Sequence, residues 1–125
     1  MTRMVQQLLD VCDNDASTVA FVRELFGRLG EKWPLRTLDE LAAGPLRFTA
    51  LEEALDGISH RVLTVTLRTL EMDGMITRTS YPEAPPRVEY EMTALGESFL
   101  SHTLALVAWA QDHHADITAH RQLVR

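Results

Sequence analysis

Five arginines, Arg47, Arg61, Arg68, Arg78 and Arg87, fall in the central part of this 125-residue chain, and Lys32 is the sole lysine. A guanidinium is a planar fork of donors, suited to paired contacts with a phosphate or with the O6 and N7 atoms of guanine. At about 100° per residue, Arg61, Val65 and Arg68 share one side of a helix, with Thr64 on its shoulder. That side offers a forked donor, a hydroxyl that bonds either kind of base edge, and an apolar group suited to a thymine methyl. His60 and Arg68 are placed to grip the backbone, and Arg78 and Arg87 to reach the adjacent minor groove or its phosphates. The chain as a whole carries a formal charge of −6, and Glu52, Glu53, Asp56, Glu71, Asp73 and Glu83 outnumber the arginines of the same stretch. Binding to a polyanion therefore requires the two signs to face different ways.

The elements that must hold this face can be read along the chain. Met4, Val5, Leu8, Leu9 and Cys12 recur at helical spacing, and the pattern ends at Asp13-Asn14-Asp15. A second helix runs from Thr18 to Gly30, and a third from about Pro34 to Gly44-Pro45. Thr49 and Glu52 have the spacing of a capping box that opens a short helix to Leu55. Asp56-Gly57-Ile58 is a tight link, and Ser59 is a favoured N-cap for the helix carrying Arg61. In that helix Leu63, Leu67 and Leu70 face the opposite way, toward a core. After Asp73-Gly74, strands are expected at Ile76 to Tyr81 and Val88 to Met92, joined by a proline-rich tip ending at Arg87. Thr93 caps a last helix with two apolar sides, Leu95, Phe99, Leu106 and Trp109 on one and Leu100, Leu104 and Val107 on the other. A single small domain needs one such stripe, so the second is assigned to another copy of the chain, joined by the N-terminal helix.

The expected fold is mainly α with a small β-hairpin wing: a winged helix-turn-helix whose N- and C-terminal helices form a homodimer interface. One domain is expected, with residues 1–16 and 93–125 as dimerisation helices around a core of residues 17–92. No run approaches the ~18 apolar residues of a membrane span, and no signal peptide is evident, which predicts a cytoplasmic protein. No phosphate loop, nucleophile triad or paired carboxylates point to catalysis, and neither an enzyme nor a cofactor is expected. A rival set, His113, Asp116 and His120 beside Asp112 and His114, has helical spacing for zinc or nickel but lacks a fourth ligand. A second rival is a winged helix that binds another protein. An effector cavity beside Trp33 and Trp109 is an alternative to tryptophans that fill the core.

These residues resemble the HxlR family of winged-helix regulators, relatives of the MarR type. The resemblance rests on Gly30-Glu31-Lys32-Trp33, Gly44-Pro45-Leu46-Arg47-Phe48 and Gly57-Ile58-Ser59, then Leu63 and Leu67-Arg68-Thr69-Leu70-Glu71. It continues through Asp73-Gly74-Met75-Ile76-Thr77-Arg78, Tyr81, Pro85-Pro86-Arg87-Val88-Glu89-Tyr90 and Thr93-Ala94-Leu95-Gly96 to Trp109. It implies homodimers, double-stranded operator DNA as partner, and repression or activation of a gene. Arg47 would then contact backbone phosphate, the helix from Ser59 would read bases, and Arg87 would serve the wing. With these, the candidate DNA-binding set is Arg47, Thr49, Ser59, His60, Arg61, Thr64, Val65, Arg68, Arg78 and Arg87. Several relatives sense oxidants through a cysteine about a dozen residues before the Lys-Trp pair. Here that neighbourhood is Thr18-Val19-Ala20-Phe21, and Cys12 lies upstream. Cys12 is read as a small buried apolar residue, since no basic neighbour in its helix turn favours the thiolate.

Overall fold

The computed structural model describes Arg3 and residues 16–124. The N-terminal helix expected around Met4 to Cys12, and Cys12 itself, lie outside the described residues. The chain divides into two compact units, Met1–Lys32 and Trp33–Arg125. In the first, α1 (Ala16–Leu29) ends at Gly30, whose N–H donates to the Gly27 carbonyl at 3.2 Å. An Arg28–Glu24 pair at 3.9 Å, one turn apart, runs along its surface.

Helix α2 (Lys32–Leu41), which belongs to the second unit from Trp33 onward, buries Pro34, Thr37, Leu38 and Leu41. Pro34 sits in its first turn, where a missing N–H costs nothing. Thr37 is buried with its hydroxyl donating to the Trp33 carbonyl at 2.8 Å. A two-residue strand, β1 (Leu46–Arg47), leads directly into α3 (Phe48–Ala54). The N-cap of α3 is Arg47, with no side-chain cap bond, so the capping box expected at Thr49 and Glu52 does not form. Pairing of β1 with β3 keeps the backbone extended through Arg47, and Thr49 falls inside the first helical turn.

Gly57, at φ 89°, makes the turn into α4 (His60–Met72), a conformation that side-chain-bearing residues rarely adopt. The Ser59 hydroxyl oxygen caps α4 by accepting from the Val62 N–H at 3.1 Å, as its position predicts. α4 buries Leu63, Thr66, Leu67 and Leu70, which meet Leu38, Leu41, Leu51, Leu55, Met75, Ile76 and Leu100 in the core. Strands β2 (Ile76–Tyr81) and β3 (Arg87–Met92) form the hairpin, and β1 adds to the far side of β3, giving the antiparallel order β1-β3-β2. The third strand is absent from the sequence-based expectation, because two residues are too few to show alternation.

Thr93 joins the sheet to α5 (Ala94–Leu123): its oxygen accepts from the Gly96 N–H at 3.1 Å while its proton goes to the Gly74 carbonyl at 2.6 Å. Gly96 is buried so tightly that a Cβ there would collide with the carbonyl of Met75. α5 is 30 residues long and buries only Gly96, Leu100 and Thr103. Beyond that point neither apolar stripe is covered by the described residues: Leu104, Leu106, Val107 and Trp109 are exposed. No helix among the described residues is long and apolar enough to cross a membrane.

Candidate nucleic-acid interface

Burial splits α4 as its sequence predicts. Leu63, Thr66, Leu67 and Leu70 close the core, while Arg61, Val65 and Arg68 point away from it, and Val65 is 55% exposed. Neither arginine makes an ion pair or side-chain hydrogen bond among the described residues. Thr64 is half-buried, and its hydroxyl donates to the His60 carbonyl at 2.8 Å. Its proton is thus committed to the helix, leaving oxygen lone pairs that can accept from a base amino group.

At the start of α4 the His60 ring lies 4.8 Å from the Phe48 ring, and its Nδ1 is 3.5 Å from a Glu52 oxygen. His60 therefore ties α4 to α3 across the turn while staying largely open to solvent. Ser59 spends its hydroxyl oxygen on the cap, Thr49 is exposed on the first turn of α3, and Arg47 is exposed on the edge strand.

The sheet separates two arginines that the sequence reading grouped together. Successive strand residues point to opposite faces. Arg78 stands opposite Tyr90, and Ile76 opposite Met92; because Ile76 is buried, this face looks toward the helices. Tyr81 pairs with Arg87, and Thr79 with Glu89, on the other face. Arg78 and Arg87 thus lie on opposite sides of the sheet. The signal was present in the alternation, since Arg87 has the parity of Glu89 and Glu91 and not that of Val88 and Tyr90.

Arg87, expected at the wing tip, is already engaged by its neighbours. It is the first residue of β3, with its guanidinium 4.1 Å from the Tyr81 ring centroid, 3.2 Å from Glu83 and 3.5 Å from Glu89. Its Nε is buried without a hydrogen-bond partner. Two carboxylates lie within ion-pair distance of it and offset its charge. Sequence spacing alone could not find this, because the tip folds back to bring Glu83 alongside Arg87.

On the helix-facing side, Arg68 and Arg78 line a groove of about 380 Å³ with Phe48, Thr64, Leu67, Glu71 and Tyr90. At the other end of the chain, the rival metal set does not assemble. The His113 ring stacks on Trp109 at 4.6 Å, its Nδ1 lies 2.8 Å from the Trp109 carbonyl oxygen, and no metal-holding cluster of three such residues occurs among the described residues. Trp109 is 52% exposed, and Trp33 is half-buried under the Arg36 guanidinium, 5.0 Å from its ring centroid.

A helix-turn-helix whose second helix keeps a bare arginine-bearing face, followed by a β-hairpin, defines the winged-helix class of DNA-binding transcriptional regulators. Residues 28–118 match the HxlR-like helix-turn-helix family, and the chain belongs to it. An HTH-type transcriptional regulator from Methanothermobacter thermautotrophicus is 39% identical over 97 residues, 78% of this chain and 74% of that protein. Among solved structures, a transcriptional regulator of the MarR family from Enterococcus faecalis V583 is similar with a TM-score of 0.70 and 36% identity, covering 85% of this chain and 94% of the other. Diamide-treated YodB from B. subtilis is similar with a TM-score of 0.67 and 30% identity, covering 72% and 89%.

Proposed function

We propose that this protein is a cytoplasmic, sequence-specific regulator that binds operator DNA as a homodimer, inserting α4 into the major groove, and that it has no catalytic activity. The observation that carries the reading is the uncovered side of α4, where Arg61, Val65 and Arg68 stand opposite a buried leucine stripe. A major groove admits one helix, read by a few side chains near the helix N-terminus. Arg61 reaches a guanine edge, Thr64 accepts from a base amino group, and Val65 meets a thymine methyl. Arg47, Thr49, Ser59, His60 and Arg68 flank these positions and meet the sugar-phosphate backbone, as does Arg78.

Arg87 has a different role: it braces the hairpin against Tyr81, Glu83 and Glu89 and supports DNA binding through wing shape. Helix α5 pairs with its counterpart in a second subunit. The length of α5 beyond Thr103 and its exposed apolar residues support that arrangement. An effector, where one acts, would bias the spacing of the two reading helices.

Selection from a random duplex pool tests the reading. The expected result is a half-site repeated with two-fold symmetry, centres roughly 34–36 Å apart or a multiple of that. No enrichment at low ionic strength would overturn it and favour a winged helix that docks on protein.

A further inference from the structure

Resting on the DNA-binding reading, we infer that the groove between α4 and the sheet seats a single backbone phosphate, held from two sides by Arg68 and Arg78. Arg68 comes from the helix and Arg78 from β2, and both line one groove of about 380 Å³. Both are exposed, and neither makes an ion pair or side-chain hydrogen bond among the described residues, although Glu71 lines the same groove. Two cationic side chains and one carboxylate line the same space, which leaves the lining net positive and suited to an anion. Half-buried Tyr90, opposite Arg78 in the strand register, lines the same space as a further polar neighbour.

The position favours a phosphodiester of bound duplex. Arg68 belongs both to the outward side of α4 and to the groove, so a helix lying in the major groove carries the seat toward the flanking strand. The clamped Arg87 sits on the other side of the sheet and does not compete for this phosphate. Glu71 limits the seat: its carboxylate opposes any anion in the groove, which weakens hold on free anions that lack the rest of the interface.

The test is the salt dependence of duplex binding for wild type, R68A, R78A and R68A/R78A, with thermal melts confirming the fold. In B-DNA each phosphate neutralised contributes a slope of about 0.9 in log K against log salt. With one shared phosphate, each single variant weakens all duplexes about tenfold, and the double variant lowers the slope by about 0.9 in total. R68K/R78K should recover the slope without the full affinity, and E71Q should bind every duplex several-fold tighter.

Neutral methylphosphonates placed one at a time along the selected half-site should reveal one position that weakens wild type and leaves the double variant unaffected. A double-variant loss near 1.8, as two separate phosphates would give, overturns the shared seat while leaving DNA binding intact. So does the absence of any such methylphosphonate position. A wild-type protein that shifts no duplex at low salt removes the DNA-binding reading, and the seat with it.

Discussion

The Arg87 guanidinium lies 4.1 Å from the centroid of the Tyr81 ring, and these two residues are the register pair that closes the hairpin. Glu83, whose N–H donates to the Tyr81 carbonyl at 2.8 Å, turns back so that its carboxylate meets Arg87 at 3.2 Å. The cation, the ring and the acid together fix the course of the chain from Tyr81 to Arg87. The contact resembles other partly exposed cation–π pairs, worth about 0.5–1 kcal/mol.

Arg87→Ala is therefore expected to loosen the wing and weaken binding to every duplex by a few-fold, with the salt slope unchanged. An arginine that neutralised a phosphate would take about 0.9 from the slope when removed. Affinity titrations across a salt series separate the two roles, and a slope loss of that size would assign Arg87 to the backbone.

Gly96→Ala is expected to destabilise the fold. Alanine is a better helix former than glycine by up to about 1 kcal/mol, but here the added methyl collides with the Met75 carbonyl, which is held by the Thr93 N–H donating to it at 3.0 Å. Overpacking of this kind typically costs about 1–3 kcal/mol, so the collision wins and the melting temperature falls by several degrees. Thr93→Ala removes both the cap bond to Gly96 and the bond to Gly74, with a loss of about 1 kcal/mol or more. Thermal denaturation measures both, and a Gly96→Ala variant that melts at or above the wild type would show that the backbone yields there.

Where one physical signal dominated, the fold was legible before the structure. The leucine stripe of α4, the Ser59 and Thr93 caps and the Gly57 turn each follow from local periodicity or from one hydrogen bond between near neighbours. Features that depend on distant partners were not. Strand β1 exists because Leu46 meets Tyr90 and Arg47 meets Glu89, and that long-range pairing displaced the local preference of Thr49 for a cap. The candidate DNA-facing residues of α4 were found because they share a helix side. The confinement of Arg87 by Glu83 required the path of a loop that composition does not specify.

Arg61→Ala and Val65→Ala should change which sequences are bound more than how tightly DNA in general is held. A bidentate arginine contact discriminates by about 1–3 kcal/mol against the wrong base, roughly five- to more than a hundredfold. Replacing Arg61 should relax preference at one position of the half-site, and replacing Val65 should reduce the preference for thymine at a neighbouring one. Specific and scrambled duplexes compared for each variant decide the matter; parallel losses on both would move these side chains to the backbone.

The last expectation concerns the second subunit. At about 100° per residue, Leu95, Phe99, Leu106, Trp109 and Ile117 fall along one side of α5, roughly a quarter turn from the buried Gly96, Leu100 and Thr103. All but Phe99 are exposed, and the Trp109–His113 stack presents a flat aromatic surface in the same row. A specific interface buries about 1,200–2,000 Å² in total, and a helix of 30 residues spans about 45 Å, long enough for such a seam. Leu106→Glu places a charge in the middle of that row, where burial without a partner costs several kcal/mol. Light scattering at micromolar concentration should report a dimer for wild type and a monomer for Leu106→Glu. Ala105→Glu, exposed on the side of α5 away from the core, should remain dimeric. The monomer should retain half-site contacts yet lose most of its affinity for the full operator, because the two half-sites no longer bind as one unit. Equal dimerisation of both variants would place the subunit interface elsewhere on the chain.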